Sequence, residues 1–159
     1  MRRRLATLAL AAASPVLLAS CTTSASSKVF NALNKDRVAN HLTALRPNDA
    51  LNAKADAWSK HMLAASNNVC SSATLVHSTL SDGKPAGATA LAENIACAVV
   101  RVEDDQVIAT IQTGWMNSPG HRTNMLNPLY THGAGGYASK KLPNGTYLVF
   151  ETQEFAKIS

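Results

Sequence analysis

Apolar positions first recur with a helical period. Between residues 28 and 45, KVFNALNKDRVANHLTAL sets Phe30, Leu33, Val38, Leu42 and Leu45 at mostly helical intervals, with charges between them, which predicts a first helix. Arg46-Pro47 is expected to stop it, because the residue before a proline is pushed out of the helical region. Asn48 or Asp49 can cap a second helix, in which Leu51, Ala55, Trp58, Met62 and Ala65 recur at steps of 4, 3, 4 and 3. That stripe reads as core. Residues 67–87 are polar and turn-rich apart from Thr74-Leu75-Val76, and read as a long loop with a brief ordered piece around His77.

The pattern then changes. Leu91 to Val100, LAENIACAVV, is apolar with a single Glu-Asn inside it. Asp104 and Asp105 place negative charge where a third helix would begin, with Val107, Ile108, Ile111 and Trp115 as its buried face, and Pro119-Gly120 is expected to end it. HGAGGYASK and TYLVFETQEF are strand-like, and Asn144-Gly145 between them signals a hairpin, since both residues accept positive φ. Glycines 133, 135 and 136 would leave a strand smooth on one side, where another backbone or a ligand can approach.

The N-terminus does not belong to this pattern. Arg2, Arg3 and Arg4 precede the apolar run LATLALAAASPVLLAS, the order of a secretory signal and shorter than the roughly 20 residues of a membrane span. Leu18-Ala19-Ser20-Cys21 resembles a bacterial lipobox, so residues 1–20 read as a lipoprotein signal peptide and Cys21 as a lipidated N-terminus. Acyl chains there would hold the protein on the extracytoplasmic side of a cell membrane, with residues 21–27 as a flexible tether and 28–159 as one domain. An ordinary cleaved signal would instead leave Cys21 an odd thiol.

Charge follows from the same segment. The chain carries 15 Lys and Arg against 10 Asp and Glu, and loss of three arginines lowers the net charge from +5 to +2. No basic run remains, so nucleic acid is excluded as a partner, and a monomer is expected. Cys70 and Cys97 form an even pair in an exported chain, which argues for a disulfide over two buried free thiols.

Short catalytic signatures are missing: no His-Glu-x-x-His, Gly-x-Ser-x-Gly, P-loop or Cys-x-x-Cys. What remains is His77, Glu93 and His121, each beside small or apolar residues. Two imidazoles and a carboxylate are ligand types of an open zinc site and also suffice for acid–base work near neutral pH. The plainer alternative is that each histidine braces its loop through one hydrogen bond, and that Glu93 ties loops through backbone N–H groups.

The motifs in order resemble the CAP superfamily (cysteine-rich secretory proteins, antigen 5 and pathogenesis-related 1) in its bacterial SCP-like branch. They are Leu33-Asn34-x-x-Arg37, Leu51-x-x-x-Ala55-x-x-Trp58-Ser59-x-x-Met62, His77-Ser78, Ala92-Glu93-Asn94-Ile95-Ala96, Trp115 to Arg122 (WMNSPGHR), Asn124-Met125-Leu126 and Tyr147-Leu148-Val149 running to Phe155. The resemblance implies an α+β fold, a three-layer α-β-α sandwich with a small antiparallel sheet between helices, and a cleft lined by two histidines and two acids. His77, Glu93 and His121 match three of those positions. Many members carry a second glutamate shortly after the tryptophan, whereas Trp115 here is followed by Met116, Asn117 and Ser118. The implied functions are a non-enzymatic envelope module binding a lipid or sterol-like ligand, and alternatively a metal-dependent hydrolase with zinc on His77 and His121 and Glu93 as base. A fold-level resemblance does not transfer activity, which favours the binding module.

Overall fold

The computed structural model describes residues 23–159, so the signal peptide and Cys21 lie outside the described residues. Helix α1 spans Ala25–Ala39, with Ser24 as its cap accepting from the Ser27 N–H. It therefore starts inside the stretch read as tether and ends well before Arg46. Its buried stripe is Val29, Leu33 and Arg37, while Val38 is 59% exposed. A charged residue holds the core position because carbonyls surround it: Arg37 donates to the oxygens of Thr43, Met125 and Asn127 at 3.1, 2.7 and 3.0 Å. Leu45 is buried, but from the loop after the helix. Arg46–Pro47 does not stop α1; it forms a two-residue strand, β1, beside His132 and Gly133.

Helix α2, Asp49–Ala65, is capped by Asn48, whose side chain accepts from the Leu51 N–H. Leu51, Ala55, Ser59 and Met62 are its buried residues. Ala65 is exposed and Trp58 half-buried, so the expected stripe leaves the core at Ala65 and packs against its edge at Trp58. Ser59 takes the vacated place through a 2.9 Å bond to the Thr152 hydroxyl. Residues 66–87 hold neither helix nor strand, and a disulfide between Cys70 and Cys97 ties them to the sheet.

Strand β2, Ala88–Val100, precedes α3, Asp105–Asn117, which buries Val107, Ile108, Ile111, Gln112 and Trp115. Asp104 caps α3 by accepting from the Gln106 N–H. Pro119 does end that helix, yet it also starts a short α4, Pro119–Met125, at a first-turn position where its missing N–H costs nothing. Strands β3, His132–Lys141, and β4, Tyr147–Ile158, form the expected hairpin, with Gly145 at φ +86°.

The sheet order is β1-β3-β4-β2, and the expectation of a purely antiparallel sheet needs one correction, since β1 runs parallel to β3. The other two pairings are antiparallel. Alternation along β4 divides the core. Leu148 and Phe150 pack with Met62 of α2, whereas Val149 and Phe155 pack with Val29 and Leu33 of α1 and Ile108 and Trp115 of α3. Helices on both faces make the α-β-α sandwich. The smooth strand is β3: a Cβ on Gly135 would meet the Ser26 carbonyl oxygen of α1 at 2.6 Å, and one on Gly136 the backbone of α2. Close backbone approach is what these glycines allow, on both faces.

Candidate functional site

His77 arrives on the long loop and Glu93 on β2, on the sheet face that α2 covers. His77 Nδ1 lies 2.7 Å from Glu93 Oε1, and the Ser78 N–H donates to the same oxygen at 2.9 Å. The carboxylate is fully buried while the imidazole is 59% exposed, so Glu93 fixes one nitrogen of His77 and leaves the ring edge open. Neither partner could be placed from spacing alone; a β-strand and a tied loop bring them together.

His121 sits on α4, whose carbonyl at that residue accepts from Asn94 Nδ2 at 3.2 Å. Its Nδ1 is 2.9 Å from the Ser118 hydroxyl. Burial, and then the charge of His77, lower the proton affinity of His121, so the two imidazoles are near enough to repel when charged. Asn94 also bonds Gln153, and Asn124 bonds Asn94, so amides lock α4 to the sheet.

The zinc reading does not fit these residues. Each imidazole spends Nδ1 on a protein partner, and Glu93 spends Oε1 on His77 and Ser78. Among the described residues no group of three His, Cys, Asp or Glu is arranged to hold a metal ion. Two ring nitrogens fall one short of the three protein ligands of an open zinc site.

Two residues absent from the expected set belong here. Glu154 is directly opposite Glu93 in the β2–β4 register and is fully buried. Burial, then the charge of Glu93, push its carboxyl up to about 8. Lys54 of α2 donates to the carbonyls of Thr79 and Leu80 at 3.2 and 3.0 Å and stands 3.4 Å from Glu154 Oε1. The signal for Glu154 was present in VFETQEF, where charged residues fall on both faces of a strand that is otherwise core.

Between α2 and the loop runs a groove of about 700 Å³. Ala50, Ala53, Ala57 and Trp58 make one wall, and His77, Ser78, Thr79 and Asp82 the other. Trp58 donates to the Val76 carbonyl at 2.9 Å and stacks on His61, with ring centroids 4.6 Å apart. It therefore builds the groove wall while also packing against the core cluster of Met62, Ile95, Leu148 and Phe150. His132, by contrast, bonds Thr131, and Arg122 braces Met116 and Asn40; neither joins the site.

The fold is similar to that of an outer surface protein of Borrelia burgdorferi, with a TM-score of 0.59 and 14% identity over 82% of this chain and 90% of that one. It is also similar to an extracellular protein containing an SCP domain from Bacillus anthracis, with a TM-score of 0.56 and 27% identity over 83% of this chain and 40% of that one. No curated protein matches the chain in sequence. Residues 30–155 match the cysteine-rich secretory protein family, CAP, and cover every element from α1 to β4, so the chain belongs to that family.

Proposed function

We propose that this protein is an exported binding module of a bacterial cell envelope, anchored through acyl chains on Cys21, that holds an elongated lipid or sterol-like molecule in the groove beside α2. The groove carries the reading. Its size suits a small ligand, and Ala50, Ala53, Ala57 and Trp58 give its helix wall apolar surface alongside Lys54 and His61, a mix of apolar wall and few polar groups usual for a ligand site. Export is supported by the N-terminal segment and the disulfide. No helix among the described residues is long and apolar enough to cross a membrane, and the lipobox-like Leu18-Ala19-Ser20-Cys21 supports attachment through Cys21. The hydrolase alternative has two histidines and, among the described residues, no third metal ligand grouped with them.

Titration of the purified protein with a monomeric fluorescent phospholipid or sterol analogue tests this. Binding is expected to quench Trp58 and to vanish in Ala53→Trp, which fills the groove, with the melting temperature kept. Equal binding by that variant, or none by the parent protein, sinks the groove. For the anchor, intact mass of the membrane-extracted protein should exceed the sequence from Cys21 by its acyl groups, and Cys21→Ser should release it.

A further inference from the structure

Besides both oxygens of Glu151, three buried carboxyl oxygens lack a donor among the described residues: Glu93 Oε2 and both oxygens of Glu154. These side chains face one another, opposed in the β2–β4 register and fully buried. Two acceptor-only carboxylates in that position repel each other and go unpaired. A single proton between them removes the repulsion and pairs Glu93 Oε2 with one oxygen of Glu154, while Lys54 stands 3.4 Å from Glu154 Oε1.

Its location follows from the neighbours. Glu93 Oε1 already accepts from the Ser78 N–H and is paired with His77 Nδ1, which places Glu93 as the acceptor of the two carboxyls. Glu154 has no such donor. Among the described residues Lys54 is the cation that faces it, and Lys54 makes its shorter bonds with the loop carbonyls of Thr79 and Leu80. From β3, Glu154 faces Ala134, which carries no charge. We propose that Glu154 is a neutral carboxylic acid at physiological pH and donates its proton to Glu93, forming a chain Glu154–Glu93–His77 that holds the imidazole at the groove. Glu154 is then a positioning residue acting through Glu93, and the second acid of the site is supplied by β4. Burial and the neighbouring carboxylate, which push Glu154 up to about 8, agree with this.

The test needs no ligand, so it stands apart from the groove reading. Infrared spectra of the folded protein at pH 6 to 7 should show the carbonyl band of a protonated carboxylic acid that Glu154→Gln removes; Glu151→Gln separates the contribution of the other buried acid. Glutamine keeps a donor toward Glu93, so the downfield His77 Nδ1 proton resonance should survive in Glu154→Gln and broaden in Glu154→Leu. The stability of Glu154→Gln relative to the parent should rise between pH 6 and pH 9. An unchanged infrared band, or an equal loss of stability at both pH values, would mean an ionised Glu154 paired with Lys54 and would overturn the proposal. Should the leucine variant fail to fold, the glutamine results decide alone.

Discussion

Gly136 on β3 lies so close to Ala55 on α2 that an added Cβ would stand 2.1 Å from the Ala55 carbonyl oxygen. Backbone rather than a flexible side chain is in the way, so the helix would have to lift off the sheet. Gly136→Ala is expected to cost about 3 kcal/mol. Gly114→Ala is the contrast, because space there is open and the residue is inside α3. Alanine should stabilise that helix by roughly 0.5–1 kcal/mol. Urea unfolding of the two variants should move in opposite directions.

Stability should fall as pH rises through the neutral range. Glu151 and Glu154 are both buried and both raised from 4.5 to about 8, Glu151 by burial alone. Between those values the folded chain binds protons that the unfolded chain has released. Each carboxyl therefore removes roughly 1.4 kcal/mol per pH unit across that window and nothing more above it. Melting temperatures from pH 5 to pH 9 should decline and then level, with Glu151→Gln shallower than the parent.

The Arg37 guanidinium is enclosed by carbonyls and 1% exposed. Arg37→Met keeps much of the stem but leaves the oxygens of Thr43, Met125 and Asn127 without their charged donor. A loss of about 3 kcal/mol is expected from denaturant unfolding. A change below about 1 kcal/mol would show that water replaces the guanidinium at no cost.

Reduction should weaken the domain without abolishing it. The Cys70–Cys97 bridge closes a separation of 27 residues, which contributes roughly 3 kcal/mol in the chain-entropy model. Unfolding midpoints with and without reductant measure this directly, and identical midpoints would contradict the estimate.

The helices, the hairpin and the disulfide were legible because each rests on local chemistry: Asn48 and Asp104 cap, Asn144-Gly145 turns, and Cys70 and Cys97 pair. Arg37 was misplaced by the same reasoning, and Trp58 was placed only in part, since it packs against the core and also walls the groove. Hydrophobic periodicity gave the core position to Val38 and assigned Trp58 to the interior, because periodicity does not register carbonyl cages or grooves. His77, Glu93 and His121 were named from motifs. Glu154 was not, since its meaning depends on the cross-strand register that places it opposite Glu93.

The groove's loop wall is fastened unevenly along its length. From Val76 to Leu80 it is fastened to α2 and β2 through Trp58, Glu93 and Lys54. Beyond Leu80 the backbone bonds are local ones, from Lys84 to Ser81 and from Ala88 to Pro85, and Gly83 and Gly87 both have positive φ. Pro85 is buried and Ala88 enters β2, so only the exposed residues 81–84 can shift without breaking the fastenings that orient His77. The width of the opening can thus vary with its occupant, or drift between related chains through substitutions in residues 81–84, while the polar end of the groove keeps its geometry.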